Sequence, residues 1–140
     1  MESINQDISK EMWCSLREGL IREWRCRMGA DPDTTPSQVT LYSLYGALQV
    51  RFDRKAGRVK VVLRSYGSNT GSRTAHSPPV DTERAYEPVV TSRGRRQWRR
   101  GSYKHGEDGM ARMIVYHLLK HRMATEGSLT RHTERVDLNS

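Results

Sequence analysis

Arginine supplies most of the chemistry this sequence offers. Five of the twelve residues in 92–103, SRGRRQWRRGSY, are arginines, set around Trp98. A planar guanidinium donates a fork of hydrogen bonds to a phosphate and stacks on a ring or a base. It does not shuttle protons, because it stays charged at any accessible pH. The groups that would support catalysis are not arranged for it. His117 and His121 stand one helical turn apart in HLLKH, a spacing able to hold zinc, but the glutamate of HExxH is missing and there is no CxxC pair. Asp31 and Asp33 flank a proline, and Glu107 and Asp108 precede an apolar periodic stretch, where carboxylates stabilise a helix N-terminus. There is no phosphate-cradling glycine loop and no nucleophile elbow. These residues point to a binding protein rather than an enzyme, with no metal and no cofactor required.

Composition narrows the partner. The 140 residues carry a net charge of +8, and 19 of the 24 basic side chains are arginines; the sequence pI is about 9.9. Such an excess favours a polyanion. The same composition, with a single phenylalanine, also suits a GC-rich or overlapping reading frame. Hydrophobic residues make up 35%, enough for one modest core. No run approaches the ~18 apolar residues of a membrane span, and MESINQDISKE does not read as a targeting leader. Cys14 and Cys26 fall in one expected helix, roughly 18 Å apart at the helical rise, too far to bridge. A reducing compartment is therefore expected.

The elements that must position these arginines follow from periodicity. From Ser9, read as an N-cap, Met12, Leu16, Leu20, Ile21, Trp24 and Met28 recur at helical spacing until Gly29 and ADPDTTP stop the helix. A strand is expected over 39–45. In ALQVRFDRKAGRVKVVLRSY, Leu48, Val50 and Phe52 alternate with Gln49, Arg51 and Asp53, and after RKAG Val59, Val61 and Leu63 alternate with Lys60, Val62 and Arg64. This is a β-hairpin with Gly57 in a left-handed position. Residues 67–83 read as a flexible loop, 86–92 as a strand with Pro88 at a sheet edge or a strand start. A final helix is capped by Asp108 and faced by Met110, Met113, Ile114, His117, Leu118 and His121, with Val115 and Leu119 widening the stripe. The expectation is an α+β fold: one domain over 1–124 with three or four strands in an antiparallel-rich sheet, N- and C-terminal helices on one face, and an open basic face. A polar tail follows over 125–140.

Alternation assigns the binding residues. Arg51, Lys60 and Arg64 share the polar side of the hairpin. If RRQWRR is a strand with Trp98 inward, Arg95, Gln97 and Arg99 join them. Trp24, ringed by arginines in REWRCR, is the tryptophan best suited to stack on a base. The hairpin's basic face carries no aromatic row, which favours a duplex over a single strand, and no base-reading motif is present.

At EWRCR the chain resembles the tombusvirus- and aureusvirus-type suppressors of RNA silencing, and the resemblance continues through GALQVRFDRK and RRGSYKHGEDGMARMIVYHLL. It spans roughly residues 20–122 in short motifs. It implies a homodimer whose joined sheets cradle double-stranded RNA in the host cytoplasm, with the nucleus as a second location. By the same likeness Trp24 caps the duplex end beside Arg25, while Arg51, Lys60, Arg64, Gly101 and Ser102 touch the backbone. The chain has Ile21 where that family has a second tryptophan, so both short and long duplexes are expected to bind. A viral accessory or matrix-like protein, or a DNA-binding regulator, are the alternative readings of the same basic face.

Overall fold

Met12, Leu16, Leu20 and Trp24 recur every fourth residue, and in an α-helix such residues lie above one another on one side. All four are buried in the structure of the protein, a computed structural model that describes residues 6–43, 46–65 and 82–119. The helix, α1, runs over Gln6–Met28. It starts three residues before the expected cap: Ser9 lies inside it and donates its hydroxyl proton back to the Gln6 carbonyl at 3.0 Å. It stops as expected, where Gly29 takes φ +67° and its N–H bonds the Arg25 carbonyl.

Seven strands follow where three or four are expected: β1 (Asp33–Thr35), β2 (Gln38–Tyr42), β3 (Gly46–Asp53), β4 (Arg58–Ser65), β5 (Thr82–Val90), β6 (Arg96–Arg100) and β7 (Tyr103–Gly106). All neighbours are antiparallel, and spatial order equals chain order. Besides β6, which the sequence offers only conditionally, the extra strands are short pieces whose sequences read as turns, DTT and YKHG; ladder pairing with β2 and β6 supplies what local propensity lacks. Thr82 and Glu83 belong to β5 rather than to the expected loop, because Leu63 and Val62 of β4 pair with them. The remainder of that loop (residues 67–81), His121 and the tail 125–140 lie outside the described residues.

The β3–β4 hairpin closes as expected. Gly57 has φ +68°, and its N–H bonds the Asp53 carbonyl at 2.7 Å, while the Asp53 carboxylate accepts from the Lys55 and Ala56 N–H groups. Pro88 sits where β5 has one neighbour only. Thr82–Tyr86 pair with β4, and Glu87–Val90 pair with β6, so the missing N–H costs no second ladder.

A second helix, α2, is described over residues 110–119. Both helices pack against the inward side chains of the sheet. Val39, Leu41, Leu48, Val50, Phe52, Val59, Val61, Leu63, Tyr86 and Trp98 form one core with the buried faces of α1 and α2. Gly19 lets the helices meet: a Cβ there would lie 3.1 Å from that of Ala111. Trp13 stacks on Phe52 with ring centroids 5.6 Å apart, and its indole N–H donates to the Pro36 carbonyl at 2.8 Å. Arg96 ties β6 to both helical ends, 2.9 Å from Glu11 and 3.9 Å from Glu107. The opposite side of the sheet carries neither described helix. This is the α+β arrangement expected, with more strands.

Candidate nucleic-acid interface

Side chains on a strand alternate between faces, so the buried set fixes which residues point away from the helices. On β3 these are Ala47, Gln49, Arg51 and Asp53; on β4, Arg58, Lys60, Val62 and Arg64. β5 adds Glu83, Ala85, Glu87 and Val89. Because Trp98 is fully buried, Gln97 and Arg99 of β6 share the open face, and Lys104 of β7 stands opposite Arg99. Arg95 continues the same side in the turn before β6, where its backbone exchanges bonds with Thr91.

Arg51, Lys60, Arg64, Arg95, Gln97 and Arg99 therefore lie on one face of the sheet, as alternation requires. Arg58 and Lys104 join them and were not singled out from the sequence. The parity of β4 was sufficient to find Arg58; Lys104 needed β7, which reads as a turn.

Register adds a feature that alternation alone does not give. Arg51 is directly opposite Lys60, and Arg99 directly opposite Lys104. Like charges facing each other across a ladder oppose folding, at about 1 kcal/mol or less for exposed groups in water. Two carboxylates relieve part of this: Glu83 lies 3.3 Å from Lys60, and Glu87 3.3 Å from Arg99. Among the described residues Arg51, Arg58, Arg64, Arg95 and Lys104 have no carboxylate within ion-pair distance. The face is thus a row of cations with three carboxylates, of which Glu83 and Glu87 are ion-paired within it and Asp53 stands opposite Arg58. Its one aromatic side chain among the described residues is Tyr42 of β2, 53% exposed at the sheet margin next to Ala47.

Two expected site residues are not on this face. Trp24 is 3% exposed, packed in the core on the helical side, so its ring is not presented to a ligand. The cause is its place in the every-fourth-residue stripe, which outweighs the arginines beside it in sequence. Arg25 is exposed on α1 but engaged by Asp31: the hydrogen bond and charge of Asp31 raise the already high pKa of Arg25, and the hydrogen bond and charge of Arg25 hold the Asp31 carboxyl below its ordinary range. Gly101, at φ +59°, and Ser102 form the exposed β6–β7 turn at the end of the face. The structure brings together the sheet residues and leaves Trp24 and Arg25 on the other layer.

Among the described residues no group of three His, Cys, Asp or Glu side chains is placed to hold a metal ion, and no helix is long and apolar enough to cross a membrane. Neither family models, curated proteins nor solved structures gave a match to this chain.

Proposed function

We propose that this chain is a non-catalytic double-stranded RNA-binding protein, a homodimeric viral suppressor of RNA silencing that sequesters duplex RNA in the host cytoplasm. The observation that carries the nucleic-acid part is the pair of like-charged cross-strand contacts, Arg51–Lys60 and Arg99–Lys104, on a face that neither helix covers. Such pairs weaken the sheet and are relieved by a polyanion laid across it. Along β4 the outward cations Arg58, Lys60 and Arg64 lie about 7 and about 13 Å apart at the strand rise, with Val62 between the last two, which suits contact with phosphates rather than base edges. A duplex is favoured over a single strand because Tyr42 alone gives no stacking row. The suppressor role and the pairing of two copies are supported by the resemblance of element order and by the wider basic surface that two sheets would offer.

A gel-shift series at fixed salt with blunt double-stranded RNA, single-stranded RNA and double-stranded DNA tests this reading. Duplex RNA should bind most tightly and with little dependence on sequence. Equal or tighter binding of duplex DNA would move the protein to the DNA-binding class, and no binding to any of the three would leave an acidic protein as the partner of the face.

A further inference from the structure

Arg100 follows Arg99 on β6 and so points to the opposite, helical side of the sheet, in line with Trp98 and Arg96. Arg96 is neutralised there by Glu11 and Glu107, but Arg100 has no carboxylate partner among the described residues. Its guanidinium is held between two tyrosine rings, 4.9 Å from the centroid of Tyr103 and 5.9 Å from that of Tyr86. Its Nε is buried without a hydrogen-bond partner among the described residues. So is the indole nitrogen of Trp98, a residue buried completely. A buried donor left unpaired is uncommon in folded proteins and calls for an acceptor. Two neighbours extend the site: Ser102 lies in the exposed turn that follows, and Arg84 stands on the same side of β5, two residues before Tyr86 and also without an ion-pair partner among the described residues.

From this geometry we infer that Arg100, clamped by Tyr86 and Tyr103, is the centre of a second anion site that takes a phosphate group. A guanidinium already fixed by two rings loses little freedom on binding, and its fork matches the oxygens of a phosphate. The group is either free phosphate or a phosphate of a nucleic-acid strand that reaches the β6–β7 end. The second source rests on the duplex-RNA reading; the first does not.

The full-length protein, labelled with 15N in its arginine side chains, is titrated with inorganic phosphate and, separately, with a short duplex RNA, while the Arg100 Nε–Hε resonance is followed. Sodium chloride at matched ionic strength is the control. A saturable shift of the Arg100 signal by phosphate, not reproduced by chloride, is expected. Arg100→Lys should weaken phosphate binding about tenfold or more, since a point charge replaces the fork. Tyr103→Ala, at an exposed position that the fold does not need, should weaken it several-fold. An Arg100 shift with duplex RNA but not with inorganic phosphate assigns the site to a nucleic-acid phosphate. An Arg51→Ala/Arg64→Ala variant that loses RNA yet keeps the phosphate response shows the site standing apart from the duplex-RNA reading. If neither ligand moves the Arg100 signal beyond the chloride control, Arg100 is a packing residue and the site does not exist.

Discussion

Trp24 shows how a side chain's neighbours in sequence mislead about its neighbours in space. Flanked by arginines it resembles an exposed stacking group, yet the spacing from Met12 through Leu16 and Leu20 places it in the core, 3% exposed. Trp24→Ala should therefore destabilise the fold by about 3–5 kcal/mol, as expected for a large ring removed from a packed interior. Chemical denaturation reads this directly. A variant of unchanged stability with selectively weaker binding to short duplexes would restore the end-stacking role. His105 gives a second test at this scale. Burial in the first place, and the charge of Arg100 in the second, hold its pKa below the ordinary value. The folded chain then binds a proton less readily than the unfolded chain. Stability on this account falls as pH drops below the unfolded histidine value of about 6.5, and the loss ceases once the folded pKa is passed. Arg100→Gln should raise the His105 pKa part of the way, leaving the effect of burial in place. Following the imidazole carbon-bound protons by NMR against pH decides it; an unmoved midpoint would mean that the Arg100 charge is screened.

Among the elements, the β3–β4 hairpin was the most legible. Strict alternation from Leu48 to Leu63 and a glycine at the turn agree on one register, and the structure has it. The flanking strands were less so, because DTT and YKHG have no periodicity of their own and become strands through a partner's ladder. This is also why Lys104 escaped notice. The like-charged pairs needed register, which alternation leaves open: it tells which residues share a face, not which stand opposite. Two variants test the hairpin as a binding element. Arg51→Ala with Arg64→Ala should weaken duplex binding at least tenfold, the loss of two phosphate contacts, with an unchanged denaturation midpoint or a slight gain, since the Arg51–Lys60 repulsion goes. Glu83→Gln with Glu87→Gln should act in the opposite direction. Freed from their internal partners, Lys60 and Arg99 become available to phosphate, so affinity rises while stability falls slightly. Isothermal titration beside denaturation separates the two effects. Unchanged affinity in both double variants would place the ligand elsewhere.

For the molecule as a whole, the location of the charge matters more than its amount. The described residues hold 19 of the 24 basic and 11 of the 16 acidic side chains, so the entire excess of eight belongs to them. The remaining segments are balanced, and the arginine-rich stretch 92–103 is built around β6, with one face of that strand in the core and one on the open side, rather than being a basic tail. A folded array of cations has a measurable consequence. Each phosphate neutralised releases condensed counterions, and the logarithm of the binding constant falls by about 0.7–0.9 per contact for each tenfold rise in salt. Five cations of the open face, Arg95 included, lack an internal carboxylate partner among the described residues, and two more must exchange one for a phosphate. The expected slope is then about −4 to −6 per bound chain, and about twice that for a duplex held between two copies. Light scattering on the complex gives the number of chains, and titrations at several salt concentrations give the slope. Removing Glu83 and Glu87 should steepen it, because Lys60 and Arg99 would then add to the counterion release in full. A slope near zero would show that the sheet cations do not meet phosphate. A slope that stays the same when Arg51 and Arg64 are both replaced would show that other arginines of the chain carry the contact.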